Sequence, residues 1–392
     1  MAFTLQPAIG KSFVDRKEIV GEMIADLSNK NLLMGFALLG NRRMGKSSIF
    51  QEVCLRLSKK KNVIPVYFSM WNLVEKSVEE FCRLLSFSVL ERYKQKLSLK
   101  YRLKNLVRVP VTRVFDFLRE IDVKIKVLEE IEISLAKKRE EKEPSLLLNQ
   151  VLTLPEKLAN ETNTRCVVFL DEFPSVTGLV YKNGQMVGEG IIRKIRTIQE
   201  NYRRTILCIS GSIRKSMELT ALSAASPFYR QFIVRNVGAF RRADLKELLE
   251  KNLASKLSGE AIDMCYQLSG GIPFYVQFIG RGIVKTERKD ITPVVIGEIF
   301  NELLHEEGNL LFTEEFNSFS SKERKILVTM AKNNLYKLTE IAKALGENLN
   351  IIGRYFEYLI GKGVIIKENR GIYKFTDPVF EKWIKEILSP SG

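Results

Sequence analysis

Nine residues at positions 40–48, GNRRMGKSS, combine glycines with a lysine and two hydroxyl side chains. The apolar stretch LLMGFALL precedes them, and IFQEVCLRL follows. A glycine, four residues, then glycine, lysine and serine is the spacing of a phosphate-binding loop between a strand and a helix. Glycines allow backbone N–H groups to surround a phosphate, and the helix adds its positive N-terminus. The pattern therefore predicts nucleotide binding, with a glycine turn capped by serine as the simpler alternative.

A second segment, RCVVFLDEFPS at 165–175, places two carboxylates directly after an apolar run. Such a run predicts a strand buried on both faces, and ligands of open α/β sheets bind at the carboxyl ends of strands. We expect Asp171 to hold Mg²⁺ and Glu172 to orient and deprotonate a water molecule. Ser47 would be a second Mg²⁺ ligand, and Lys46 would contact the outer phosphates. An acidic turn is the alternative, but the two motifs together favour binding and hydrolysis of ATP.

The whole of the loop 40–48, hereafter the phosphate loop, is expected to contact the nucleotide. Its residues are Gly40, Asn41, Arg42, Arg43, Met44, Gly45, Lys46, Ser47 and Ser48.

The elements around these motifs alternate between strand and helix patterns. Apolar runs predict strands at 32–40, 62–70, 166–170, 205–210 and 231–237, separated by helical patterns such as 46–57, 77–93, 145–160 and 191–202. This alternation predicts an α/β fold with a parallel sheet and helices on both faces. Residues 121–135 alternate apolar and polar side chains around LEE, which predicts an inserted β-hairpin with Lys126 opposite Glu132.

The composition indicates a multidomain protein with an excess of basic residues. The chain has 392 residues and a net charge of +16, and its five cysteines are scattered. The length suggests two or three domains, and no apolar run approaches the ~20 residues of a membrane span. With no secretion signal pattern at residues 1–13 and no paired cysteines, we expect a cytoplasmic protein without zinc or membrane association.

The excess charge predicts a polyanionic partner such as double-stranded DNA. Five basic residues recur every four positions and would share one broad helix face. They are Arg92, Lys96, Lys100, Lys104 and Arg108. A solvated basic helix in a protein rich in lysine and glutamate is the alternative.

Four further motifs, FVDRKEIV, CISGS, SPFYR and SGGIPFY, occur along the chain in a characteristic order with the phosphate loop and the acidic segment 165–175. Together they resemble the archaeal ATPase family, AAA+-related P-loop ATPases of the STAND class that are similar to origin-recognition and helicase-loader proteins. The resemblance covers most of the chain. It differs at Asp15, where the family usually has glycine, and at 229–231, where Tyr-Arg-Gln replaces Tyr-Gly-Arg.

This resemblance implies further site residues beside the two motifs. They are Phe13, Val14, Arg16 and Pro273 near the adenine base, Ser212 as a polar sensor and Arg230 as an arginine finger. Each also has a simpler interpretation. Ser212 could cap a helix, SGGIP could end one, and Arg230 could be a surface arginine.

The C-terminal residues predict a winged helix-turn-helix. Ser320 and Glu323 form a capping box before a helix, Thr339 is expected to cap a second, and a third follows Gly346. Residues 364–375 then form two strands around a turn, as in a wing. The expected DNA contacts are Asn348, Asn350 and Arg354 on the third helix, with Lys367 and Arg370 on the wing. A winged helix that contacts protein or clamps the ATPase domain is the alternative.

The sequence thus predicts a parallel-sheet P-loop NTPase with a helical lid and a C-terminal winged helix. The expected domains are an ATPase domain at 1–240 with an insertion at about 92–143, a lid at 241–312 and a winged helix at 313–392. Two functions fit. One is a DNA-associated ATPase, expected to form a homo-oligomer, whose nucleotide state controls assembly or DNA engagement. The other is a STAND-type signalling or defence switch whose winged helix is a regulatory module for protein contacts.

Overall fold

The computed structural model describes residues 3–100, 144–181, 187–212, 226–228, 230–253, 257–288 and 290–388. The predicted hairpin at 121–135, the basic residues Lys104 and Arg108 and the side chain of Lys100 lie outside the described part.

A five-stranded parallel sheet forms the centre of the N-terminal half. Its strands are β1 (Gly35–Leu39), β2 (Val63–Ser69), β3 (Arg165–Asp171), β4 (Thr205–Gly211) and β5 (Phe232–Asn236), in the order β2-β3-β4-β1-β5. Every residue of β1, β3 and β4 is buried. The uninterrupted apolar runs therefore became central strands covered on both faces, which confirms the predicted parallel-sheet fold.

Helices cover the two faces of this sheet. They are α1 (Lys17–Ser28), α2 (Lys46–Ser58), α3 (Val78–Lys100), α4 (Pro144–Glu161) and α5 (Gly188–Gln199). In β1, Phe36 and Leu38 belong to one hydrophobic cluster with residues of α1 and α2, whereas Ala37 and Leu39 belong to another with residues of α3, α4 and α5. The period of two in a strand thus divides its side chains between two cores.

The next part of the chain is helical, as predicted for a lid. It contains α6 (Arg242–Asn252), α7 (Gly259–Ser269), α8 (Pro273–Thr286) and α9 (Pro293–Leu303), and a π-helical turn leads into α10 (Asn309–Asn317). Pro273 occupies the first turn of α8, where its missing N–H costs no hydrogen bond.

The C-terminal part has the order of a winged helix. Helices α11 (Ser321–Asn333), α12 (Leu338–Leu345) and α13 (Leu349–Gly361) precede an antiparallel pair, β6 (Ile365–Asn369) and β7 (Ile372–Phe375), and α14 (Pro378–Glu386) follows. The predicted capping box is present: Glu323 N donates to Ser320 Oγ at 3.3 Å, and Ser320 N donates to Glu323 Oε2 at 2.7 Å.

Two predicted helix starts differ in detail. Thr339 lies inside α12 instead of capping it, because Tyr336 O accepts from Tyr373 N and the chain begins the helix directly after pairing with the wing. The sequence also predicts a capping box of Ser77 and Glu80 at the start of α3. Only half of it forms: Ser77 Oγ accepts from Glu80 N, but the Glu80 carboxylate accepts from Glu75 N. Among the described helices, none is long and apolar enough to cross a membrane.

Candidate functional site

The phosphate loop joins β1 to α2 and has left-handed backbone at two positions. Arg43 has φ 66°, and Gly45, which immediately precedes α2, has φ 85°. Backbone of this kind turns N–H groups toward a common point and forms an anion-binding concavity. At the start of the loop, a Cβ on Gly40 would lie 2.2 Å from Val237 O, so this position admits only glycine.

Lys46 begins α2 and turns its ammonium back into the loop. Nζ donates to the carbonyl oxygens of Gly40 and Asn41, each at 2.8 Å, and the residue is 5% exposed. Burial lowers the pKa of Lys46, while Glu172 and Asp171 partly oppose this effect. A buried ammonium whose described hydrogen-bond partners are neutral carbonyls is suited to a polyanion, because it lacks a full counter-charge in direct contact.

Asp171 ends β3 and accepts hydrogen bonds from three hydroxyl groups. Ser47 Oγ donates to Oδ2 at 2.6 Å, and Tyr67 OH donates to the same oxygen at 2.7 Å. Ser210 Oγ donates to Oδ1. The structure therefore brings together Ser47 and Asp171, the two expected Mg²⁺ ligands. Hydroxyl and carboxylate oxygens are ligands that Mg²⁺ prefers, so the donor set fits this ion.

Glu172 follows with φ 54°, in the left-handed region. Its backbone N donates to Ser210 Oγ at 3.3 Å, and its carboxylate accepts from Ser212 Oγ. Because β3 and β4 are neighbouring parallel strands, the acidic pair and the expected sensor serine meet at the same edge of the sheet. The backbone hydrogen bond and the Ser212 contact hold the Glu172 carboxylate beside the phosphate loop.

A cavity of about 260 Å³ opens beside these groups. Its wall combines Phe13, Val14 and Arg16 from the N-terminal segment, the phosphate loop from Arg42 onward, Glu172, Ser212, and Pro273 from α8. Phe240 contributes an aromatic wall with the Arg16 guanidinium 5.4 Å from its ring centre. Asp15, where the resemblance would place glycine, has φ 67°, the region that glycine favours.

Two residues differ from their predicted positions. Arg230 is exposed and is not among the described residues that line the cavity. Lys96 differs from the free basic face that the spacing predicted, because Nζ donates to Ser58 O at 2.6 Å and Lys60 O at 2.7 Å. These carbonyls are at the end of α2, where helix carbonyls lack partners within the helix.

The five expected DNA-contact residues of the winged helix are exposed. Asn348 precedes α13 and its Oδ1 accepts from Asn350 N at 2.9 Å, while Asn350 and Arg354 lie one turn apart on the helix. Lys367 and Arg370 are exposed on the wing. Apolar side chains share this surface, since Leu349 and Ile351 are each 44% exposed.

Sequence reasoning missed Tyr67 as a partner of Asp171, and it expected Ser210 only as part of the polar sensor segment with Ser212. Both lie near the carboxyl ends of strands beside β3, so a polar residue at the end of an apolar run was the available signal. It also missed that the side chain of Arg43 turns away from the phosphate loop and contacts Glu315 and Asp377 in the C-terminal part of the chain.

Comparison with known proteins supports this reading of the fold. A family model described as a domain of unknown function (DUF8462) matches residues 309–384, and no curated protein matches the chain. A Walker-type ATPase of Pyrococcus abyssi is similar in structure, with TM-score 0.66, 18% identity, and coverage of 98% of this chain and 100% of that one. The ORC2 protein of Aeropyrum pernix, in ADPNP–ADP complexes, has TM-score 0.56 and 12% identity over 97% of this chain and 96% of that one. The chain therefore has the fold of P-loop, Walker-type ATPases.

Proposed function

We propose that the protein binds ATP with Mg²⁺ in the cavity beside the phosphate loop and hydrolyses it. The observation that carries this proposal is the buried Lys46 ammonium inside the loop, beside the Ser47–Asp171 pair. Cation, hydroxyl and carboxylate converge at the helix N-terminus, where phosphates bind.

The proposed roles follow from the position of each group. Loop N–H groups and Lys46 would bind the phosphates, and Ser47 with Asp171 would hold Mg²⁺, which neutralises phosphate charge when bound. Glu172 would orient a water molecule and accept its proton, with Ser212 fixing the carboxylate. The apolar wall formed by Phe13, Val14, Phe240 and Pro273 suits the adenine ring.

Substitution of Lys46 tests the binding site. Lys46→Ala removes the only ammonium that the described structure directs into the loop, so we expect ATP affinity to fall by at least about 100-fold, as for loss of a buried charged partner. Calorimetric titration of the purified chain with ATP·Mg²⁺ measures this, and Lys59→Ala, an exposed position beyond α2, is the control. Unchanged affinity in Lys46→Ala would exclude the site.

We further propose that ATP turnover is linked to DNA engagement by the winged helix. The exposed Asn350, Arg354, Lys367 and Arg370 and the net charge of +16 support this function. The ATPase rate with and without double-stranded DNA tests it, and strong stimulation is the expected result.

The alternative function is a STAND-type switch in which the winged helix regulates the ATPase through protein contacts. The contact of Arg43 with Asp377 supports it, because it joins the phosphate loop to the last helix. An ATPase rate that is indifferent to DNA would favour this alternative. The exposed Arg230 as an arginine finger, in cis or across a contact with a second copy of the chain, and homo-oligomer formation both stay predictions.

A further inference from the structure

The side chain of Arg43 points away from the phosphate loop and into the C-terminal half. Its guanidinium contacts Asp377 Oδ2 at 3.1 Å and Glu315 Oε2 at 3.6 Å. It also lies over three aromatic rings, with centroid distances of 5.1 Å to Phe312, 5.7 Å to Tyr275 and 5.8 Å to Phe274. We name these five residues the Arg43 cage.

The cage favours the charged guanidinium in a largely buried place. The Arg43 side chain is 17% exposed. Burial lowers its pKa, but the cage residues Tyr275, Asp377 and Glu315 outweigh that effect and the net pKa is raised. An arginine held by two carboxylates and aromatic faces has a fixed direction, since both contacts depend on the plane of the guanidinium.

Asp377 uses its two oxygens for different partners. Oδ1 accepts from the backbone N–H groups of Val379 and Phe380, which caps α14. Oδ2 accepts from Arg43 and from Tyr275 OH, the latter at 2.5 Å. The carboxylate therefore joins the start of α14 to the phosphate loop and to α8.

The elements that carry the cage residues pack closely against one another. A Cβ on Gly270 would lie 2.5 Å from Pro378 Cγ, so the end of α7 approaches the start of α14 closely. Phe312 of α10 contacts Trp383 of α14 at a ring distance of 5.6 Å, and Trp383 Nε1 donates to Asn309 Oδ1 at 3.0 Å. Arg43 thus contacts a surface formed jointly by the lid and the C-terminal part.

We propose that Arg43 is a positioning residue through which the C-terminal part sets the phosphate affinity of the loop. A residue other than glycine in left-handed backbone is strained by about 1–2 kcal/mol, and Arg43 has φ 66°. The cage holds the side chain from outside and so maintains this backbone, which orients the neighbouring N–H groups. The inference rests on the proposed function, since the loop is taken to bind the phosphates of ATP.

The test removes the charge of Asp377 but retains the cap. Asn caps helices as well as Asp, so Asp377→Asn keeps α14 intact while its contact with Arg43 is weakened. We expect the dissociation constant for ATP to rise about tenfold, as for loss of a charge-assisted hydrogen bond, with turnover at saturating ATP unchanged. Arg43→Gln should also raise the dissociation constant for ATP, whereas Arg43→Lys, which keeps a cation, should retain part of the affinity. Asp263→Asn is the control, because Asp263 pairs with Arg242 at an exposed site on the lid.

A second measurement is independent of nucleotide. Amide hydrogen exchange of residues 40–48 in the ATP-free protein should be faster in Asp377→Asn and Arg43→Gln than in Asp263→Asn. If the wild-type protein failed to bind ATP while exchange still increased in Asp377→Asn and Arg43→Gln, the proposed function would be wrong. The effect of the cage on the loop backbone would still be confirmed. Tighter ATP binding in Asp377→Asn would instead overturn the inference, because Asp377 would then compete with phosphate for Arg43. Affinity and exchange equal to those of the control would also overturn it.

Discussion

At the residue scale, Asp171 depends on hydroxyl donors from three different elements. Ser47 lies in the first turn of α2, Tyr67 lies on β2 and Ser210 lies on β4. Two of these groups share Oδ2, so the direction of that oxygen is set by both. These hydrogen bonds hold the carboxylate in one orientation before Mg²⁺ binds. In metal proteins, residues that hydrogen-bond to the metal ligands orient them in the same way.

Substitution of Tyr67 tests this preparation. Tyr67→Phe removes one donor to Oδ2 but keeps the ring, so the loss is about 1 kcal/mol. We expect the Mg²⁺ concentration for half-maximal ATP binding to rise about fivefold, as follows from that energy. Tyr202→Phe, which removes a hydrogen bond to Leu152 O, is the matched control. An equal change in both variants would show a general loss of stability.

The proposed role of Glu172 is tested by measuring ATP binding and ATP turnover separately. Glu172→Gln retains the shape and the contact partner of the side chain but cannot accept a proton from water. We expect ATP affinity to be retained and turnover to fall at least about 100-fold, the usual contribution of a general base. Binding titration and phosphate release measure the two quantities, with the exposed Glu189→Gln as control. Parallel loss of binding and turnover would indicate a structural role.

Burial of Lys46 predicts the pH dependence of binding. Phosphate binds the protonated amine, which predominates below its pKa, and burial lowers that pKa. ATP affinity should therefore decrease as the pH rises through the lowered value, before ordinary lysines titrate. Titrations between pH 7 and pH 10 measure this decrease. Constant affinity across that range would contradict the role given to Lys46.

At the element scale, the capping box of α11 connects local sequence to the C-terminal fold. Glu323 is almost fully buried and also accepts from Lys362 Nζ at 2.7 and 2.8 Å, which ties α11 to the end of α13. Burial raises the pKa of Glu323, but the contacts with Lys362 and Ser320 lower it by more, so the net pKa is below its usual value. The carboxylate therefore stabilises the folded state above the pKa of an unfolded glutamate, and this contribution is lost as the pH falls through the folded pKa.

Two substitutions check this contribution. Ser320→Ala should reduce the protection of α11 amides from hydrogen exchange by about 1 kcal/mol at neutral pH, the usual value of an N-cap. Glu323→Gln should remove the added sensitivity to acid, so its protection should change less than that of the wild type as the pH falls from 7 to below the lowered pKa of Glu323. Equal acid sensitivity in both proteins would contradict the assignment.

At the scale of the whole molecule, the positive charge and the exposed winged helix predict how DNA binds. Arg354→Ala should cost roughly 1–3 kcal/mol on a preferred site only, if the side chain contacts base edges. Lys367→Glu with Arg370→Glu should weaken binding to every sequence and reduce its salt dependence. Binding titrations at several salt concentrations distinguish the two effects. If the full chain bound no duplex at low salt, the winged helix would be a regulatory element.

Substitution of Lys96 serves as a comparison in the same DNA-binding titrations. Because its ammonium contacts the carbonyls at the end of α2, Lys96→Glu should disturb this contact between α3 and the end of α2 and leave DNA affinity unchanged. The predicted domain boundaries at 240 and 312 stay predictions. One hydrophobic cluster extends from α1 and α2 through the lid to α14, so the parts share a continuous core.

The local features were readable in the sequence because each depends on neighbouring residues. The apolar runs predicted the central strands, and glycine with lysine and serine predicted the phosphate loop, whose backbone conformation is decided over a few positions. The Ser320–Glu323 capping box belongs to the same class.

The tertiary structure alone decided which distant groups meet. Arg43 and Asp377 are separated by 334 positions, and Tyr67 and Asp171 by 104. Their contacts depend on the order of strands and on how the lid and α14 pack, neither of which is encoded in spacing along the chain. Lys96 illustrates the same limit, because a periodic basic pattern does not reveal that another helix ends beneath one of its members. The chemistry of the site was local, whereas its coupling to the C-terminal part required the fold.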